Sequence, residues 1–145
     1  MTAAVGLGTR LVIGHIGDSR LYLFRRGKLH QLTRDHTLVQ TMVDLGELTP
    51  EEAATHPRRH MLMRSLSAAG DASPGDFQQG TLADGDQLLL CTDGLTDMVD
   101  NETIASMLSR AASADEACQL LLGAALKNGG KDNVTIALAR YRIPQ

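Results

Sequence analysis

The sequence has no tryptophan and an aromatic content of only 3%, too little for a surface on which bases could stack. Neither sign of charge dominates. Fourteen Lys and Arg against seventeen Asp and Glu leave a net charge of −3, which gives no electrostatic ground for nucleic acid or an anionic membrane as partner. No apolar run approaches the length of a membrane span, and no charged-then-apolar leader opens the chain. The two cysteines, Cys91 and Cys118, sit in apolar surroundings. They read as small buried hydrophobes of a reducing compartment, not as a disulfide or a metal pair. A cytoplasmic protein is the expectation. Internal repeats, coiled-coil heptads and low-complexity tracts are also absent.

What is present suffices for one domain with a real core: 145 residues, 43% of them hydrophobic and 21% charged. The stretch Gln87-Leu88-Leu89-Leu90-Cys91 is a short apolar run opened by Ala83-Asp84-Gly85-Asp86, the pattern of a strand buried on both faces. It stops on Thr92-Asp93-Gly94, which carries one carboxylate to the end of a rigid element beside a Gly that permits a sharp turn. An acid held there suits a hard cation such as Mg²⁺ or Mn²⁺. Taken alone, it reads first as an ordinary turn acid.

Upstream, Thr2–Leu7, Arg10–Ile16, Arg20–Arg25 and Lys28–Leu32 read as a four-stranded antiparallel meander. Residues 33–75 change character and read as a flap-like insertion beside the sheet. Leu38, Val39, Met42, Val43 and Leu45 have helical spacing, with Gly46 as the stop. Thr49-Pro50-Glu51-Glu52 is a capping box that opens a second short helix. Arg58, Arg59, His60 and Arg64 form a basic cluster, first read as a solvated face and otherwise as a grip on an acidic phosphoprotein. A flexible loop is expected from Ser67-Ala68-Ala69-Gly70 through Asp71 to Ser73-Pro74-Gly75.

Phe77–Thr81 reads as a strand leading into the central one. Two helices follow Asp97, the first capped by Asp100 and the second by Ser113 in Ser113-Ala114-Asp115-Glu116, ending at Asn128-Gly129-Gly130. Val134–Tyr141 closes the chain as an alternating strand. The fold class is therefore α+β, with helices packed on antiparallel sheet. Met42, Met61, Met63, Met98 and Met107 sit among aliphatics and read as core filler.

Three acids share one local design: Asp18 in Gly17-Asp18-Ser19, Asp93, and Asp132 in Gly129-Gly130-Lys131-Asp132-Asn133. Each is a short acid at a strand end with Gly nearby. Were the three ends to converge, their mutual repulsion would call for cations between them. On spacing alone, three unrelated turn acids remain an equal alternative.

The segments Gly14-His15-Ile16-Gly17-Asp18-Ser19-Arg20, Leu32-Thr33-Arg34-Asp35-His36-Thr37, Leu90-Cys91-Thr92-Asp93-Gly94-Leu95 and Gly130-Lys131-Asp132-Asn133-Val134-Thr135 resemble the ordered motifs of PPM-type (protein phosphatase 2C) serine/threonine phosphatases. Leu45–Ala53 resembles the flap of that family's bacterial members. The resemblance implies an antiparallel β-sandwich flanked by helices, in an α-β-β-α layering, with two Mn²⁺ or Mg²⁺ ions and a third, more weakly bound. It implies Asp93 and Asp132 as ligands of the pair, Asp18 with Asp93 at the third ion, and Asn133 and Gly94 supporting from behind. No catalytic side chain beyond the metal ligands is implied: a cation-activated water attacks the phosphoserine or phosphothreonine directly. This agrees with a sequence that has no reactive-cysteine loop and no Ser-His-Asp pattern.

The family's Asp-Gly-x-Gly-Gly segment, whose Asp bridges both ions, has no counterpart here, nor has the His of that segment. The chain is expected to represent the carboxy-terminal two-thirds of such a domain, incomplete at its amino terminus. Its activity alone is in question, and a non-catalytic regulatory relative or a fragment needing a partner chain is the alternative. His15 is expected to be a strand residue without catalytic part, Arg20 to pair with a nearby carboxylate or with carbonyls, Asp35 and His36 to fix the entry of the flap, and Asp97 to cap or line the turn after the central strand. The expected partners are a phosphoprotein, the target of a serine/threonine kinase, bound near Arg58, Arg59 and Arg64, and a second copy associating through an exposed sheet edge.

Overall fold

The computed structural model describes residues 1–66 and 74–143. The chain runs β1 (Thr2–Leu7), β2 (Arg10–His15), β3 (Arg20–Arg25), β4 (Lys28–Gln31), α1 (Leu38–Asp44), α2 (Pro50–Thr55), β5 (Asp76–Thr81), β6 (Gln87–Cys91), α3 (Asp93–Thr96), α4 (Asn101–Arg110), α5 (Ala114–Lys127) and β7 (Ile136–Arg140). Two antiparallel sheets result, one in the order β1-β2-β5 and one in the order β4-β3-β6-β7.

The expected meander is therefore two hairpins in different sheets. Between β2 and β3 the chain crosses at Gly17, whose φ of 104° lies in the region only glycine adopts readily. The physical reason is burial. Leu11 and Ile13 of β2 and Leu21 and Leu23 of β3 point into one shared core with Leu82 and Leu88, which face-to-face packing allows and side-by-side pairing would not. Likewise β5 does not neighbour β6 but pairs with β2, from Arg10↔Thr81 to His15↔Asp76.

Strand β6 is internal, between β3 and β7, and buried on both faces as its composition suggests. Leu88 faces the sandwich core, while Leu89 and Cys91 face a second core with Tyr22 and Phe24 of β3. That second core is closed by α4 and α5 through Ile104, Leu108, Ala117, Leu121 and Ala125. Each fully buried Leu or Ile there contributes about 2 kcal/mol. The helical layer thus covers the four-stranded sheet. Among the described residues no helix covers the outer face of the three-stranded sheet, where Val5, Leu7 and Phe77 are 53%, 61% and 83% exposed.

The capping signals hold. Gly46 follows α1 with a φ of 73°, and the start of that helix is capped by Thr37, a cap not among those expected from the sequence. Thr49 and Glu52 complete their box on α2, and Asp100 caps α4. Ser113 caps α5, but the Glu116 carboxylate accepts from the Ala112 N–H rather than closing the box on Ser113. Met61 and Met63 are not core filler: they are 48% and 54% exposed, because residues 61–63 are edge backbone. The Leu38 N–H donates to the Met61 carbonyl and the Met63 N–H to the His36 carbonyl, each at 2.8 Å. The loop expected over Ser67–Ser73 lies outside the described residues. Among the described residues no helix is long and apolar enough to cross a membrane.

Candidate metal centre

Three elements deliver the three acids. Asp18 sits on the crossover between the sheets, and that crossover is braced by two histidines. The His36 backbone N–H donates to the Gly17 carbonyl at 2.8 Å, and the Gly17 N–H donates to His36 Nδ1 at 3.2 Å. The opposite ring nitrogen, Nε2, lies 3.0 Å from an Asp76 carboxylate oxygen. His15 is buried, 2.9 Å from the Thr2 hydroxyl on one side and 2.9 Å from the Arg34 carbonyl on the other. Burial, then the neighbouring His36, lowers its pKa. Both histidines hold the frame, as their positions in the sequence suggest. Arg20 finds its carboxylate in Asp35, with N–O distances of 2.7–3.0 Å, so the segment leading into α1 is pinned to β3.

Asp93 is the first residue of α3, directly after β6. Gly94 is required there for a different reason than a turn. A Cβ at this position would lie 2.4 Å from the Asn133 carbonyl oxygen, so glycine lets the loop before β7 approach α3. Thr92 fastens the same approach: its hydroxyl donates to the Asn133 carbonyl at 3.1 Å and accepts the Thr135 N–H at 3.0 Å. Asp132 is thereby carried toward Asp93. Its carboxylate accepts the Asn133 backbone N–H at 2.6 Å, so it is the backbone of Asn133 that orients it.

Asp93 feels the neighbouring acids electrostatically. Burial, followed by the charges of Asp18, Asp132 and Asp97, raises the pKa of Asp93. Asp97 lies one turn further along α3, its N–H bonded to the Asp93 carbonyl at 2.8 Å. The sequence offered only that spacing as a signal for it. Asp18, Asp93 and Asp97 line one cleft of about 560 Å³, whose other wall is built by α1 and α2.

The basic cluster does not form a single face. Arg59 lies 3.9 Å from Asp97, and His60 bridges to Asp97 at 3.5 Å and Asp93 at 3.8 Å. Arg64 turns away to Asp76 at 2.9 Å. Arg58 is exposed and lies outside the cleft lining. Cys91 offers no nucleophile, since burial pushes its thiol up to about 12.

An all-oxygen, mutually repelling donor set is the chemistry a hard divalent cation answers. The donor count stops short: among the described residues no three His, Cys, Asp or Glu side chains stand close enough to enclose one ion.

Residues 1–128 match the family described as protein phosphatase 2C. The chain belongs to that family. It is 47% identical to the serine/threonine protein phosphatase PstP of Mycobacterium tuberculosis over 96% of this chain and 26% of PstP. It is 38% identical to the protein phosphatase PhpP of Streptococcus pneumoniae over 92% of this chain and 58% of PhpP. Its fold superposes on a crystal structure of Mycobacterium tuberculosis PstP with a TM-score of 0.92 and 45% identity, covering 97% of this chain and 59% of that one. A structure of the PstP catalytic domain in complex with two manganese ions matches with a TM-score of 0.83 and 43% identity, covering 94% of this chain and 55% of that one. The chain thus spans between about a quarter and three-fifths of these relatives.

Proposed function

We propose that the chain forms the Asp18–Asp93–Asp132 side of a phosphatase site that hydrolyses phosphoserine and phosphothreonine on proteins phosphorylated by serine/threonine kinases. The observation that supports this reading is that Asp18 and Asp93, from two different elements, line one cleft, with the Asp132 loop fastened to the start of α3 through Thr92, in a member of the protein phosphatase 2C family. Asp93 and Asp132 would hold a pair of Mn²⁺ or Mg²⁺ ions, and Asp18 with Asp93 a third, weaker one. When bound, such cations would ease deprotonation of a water to the hydroxide that attacks phosphorus and would offset charge on the phosphoryl oxygens. The chain's own residues position: Thr92 and Gly94 hold the Asp132 loop against α3, His36 braces Asp18, and Arg59 stands on the rim where a phosphoryl group would enter. We also infer a cytoplasmic setting.

Calorimetric titration with MnCl₂, together with hydrolysis of p-nitrophenyl phosphate, tests this reading on the 145-residue chain. Mn²⁺-dependent turnover is expected, with Asp93→Asn weakening Mn²⁺ binding roughly 100-fold or more and abolishing turnover. The shortage of converging ligands favours a specific second reading, in which another chain completes the site or the fold serves as a non-catalytic module. Neither Mn²⁺ binding nor turnover by the chain alone would move the conclusion there.

A further inference from the structure

The end of the sandwich away from the three acids is basic. Antiparallel register brings four connections together there: Gly8-Thr9 between β1 and β2, Arg26-Gly27 between β3 and β4, residues 82–86 before β6, and the chain after β7. Hydrogen bonds tie them into one surface. The Leu82 N–H donates to the Thr9 carbonyl at 2.7 Å, the Tyr141 hydroxyl to the Gly8 carbonyl at 2.6 Å, and the Arg25 guanidinium to the Thr81 carbonyl at 2.7 Å. Arg10, Arg26, Lys28 and Arg142 are exposed on this surface against one exposed carboxylate, Asp84, in a chain whose net charge is −3. The buried Asp86 is already engaged, accepting from Arg25 at 2.6 and 2.8 Å and from the Ala83 N–H at 2.7 Å. In the helical layer at the same end, Arg110 and Arg140 offset Asp115 and Glu116. None of the four exposed cations forms an ion pair among the described residues.

The backbone supplies a second, independent observation. Among the described residues Arg26 is the only one other than glycine with a positive φ, at 51°, and Gly27 follows at 77°. A two-residue turn with both φ positive is formed most readily by Asn-Gly or Asp-Gly. Arginine at its first position carries backbone strain without helping the turn. What it adds is a cation at the tip.

We propose that this basic end is a docking surface for an acidic segment of a partner protein, held at the pole opposite the cleft. The inference goes beyond the phosphatase reading and stands without it. Shape and charge select the occupant. Arg10 and Lys28 are the first residues of β2 and β4, set back from the turn tips, where a flexible segment reaches them and a flat lipid surface does not. Packed sheets stand about 10 Å apart, so carboxylates three residues apart on an extended segment meet Arg10 and Arg26 together. A long nucleic acid would run past this end onto the acidic remainder of the chain.

The test titrates fluorescein-labelled hexaglutamate with the 145-residue chain in EDTA, which keeps divalent cations from adding a second site, and follows anisotropy. Saturable binding is expected in about 20 mM NaCl, weakened roughly tenfold in about 200 mM, with no binding of hexaglutamine. Arg26→Asn should weaken the complex roughly threefold while raising the melting temperature by about 2 °C, a split that a purely structural arginine would not give. Adding Arg10→Gln should bring the loss to roughly tenfold. Lys127→Gln removes one exposed cation at the end of α5, next to the Asp132 loop, and should leave the affinity within about twofold. Absence of hexaglutamate binding in the low salt overturns the docking surface, as does a loss on Lys127→Gln equal to that on Arg26→Asn. Tighter binding of a duplex oligonucleotide or of phosphatidylserine vesicles at the same salt overturns the choice of an acidic protein segment.

Discussion

A single glycine sets the distance between two of the candidate ligands. At Gly94 an added methyl group would meet the Asn133 backbone at 2.4 Å from oxygen and 3.0 Å from carbon, and backbone cannot rotate aside as a side-chain tip can. Gly94→Ala is therefore expected to cost about 1–3 kcal/mol and to push the Asp132 loop outward. Mn²⁺ affinity should fall although no carboxylate has been removed. Gly123 makes the comparison, since nothing lies within 4 Å of a Cβ there and it sits inside α5. Gly123→Ala should stabilise by about 0.5–1 kcal/mol. Urea unfolding of both variants checks the opposite signs, and a destabilised Gly123→Ala or a neutral Gly94→Ala would refute the packing argument. The same residue shows what the sequence exposes. That Asp93 and Gly94 end a strand is legible from the apolar run before them. That Gly94 serves Asn133 rather than its own turn is a tertiary fact. So is the approach of Arg59 and His60 to Asp97, which local charge counting turned into a solvated cluster.

Elements were more legible than their partners. Helix boundaries followed from side chains that act within one turn, such as Thr49, Asp100 and Ser113, because capping is local chemistry. Strand partnering is not local. Period-two alternation reads alike in a meander and in a sandwich, so β2 and β3 looked adjacent although Leu11 and Ile13 pack against Leu21 and Leu23 across two sheets. Local chemistry also makes α2 testable by itself. The Thr49 hydroxyl accepts the Glu52 N–H at 3.2 Å, and the Glu52 carboxylate accepts the Thr49 N–H at 2.8 Å. Thr49→Ala should cost this helix about 1 kcal/mol. Since α2 buries nothing, global melting should hardly move, while amide exchange at Glu52 and Ala53 accelerates roughly fivefold. A global melting shift with unchanged local exchange would mean that α2 supports the core after all.

At the scale of the molecule the layers are unequal. The four-stranded sheet has the sandwich core on one face and α4 with α5 on the other, whereas the three-stranded sheet turns Val5, Leu7 and Phe77 outward with exposures from 53% to 83%. Register places these side chains on one surface: Val5 pairs with Val12, and Phe77 with Gly14 next to Ala3. The edge strand β1, Thr-Ala-Ala-Val-Gly-Leu, carries no charge and no proline, and so none of the devices that keep an edge from pairing. An apolar face beside an unguarded edge favours association in water. The chain is expected to self-associate reversibly, with light scattering giving a mass that rises with concentration. Val5→Lys combined with Phe77→Lys should restore the monomer, because both lie on the outward face and neither belongs to the two cores. The fold should survive, as circular dichroism would verify. A wild-type monomer at high concentration would mean that the bare face is solvated as it stands, and that water rather than a second chain is its natural partner.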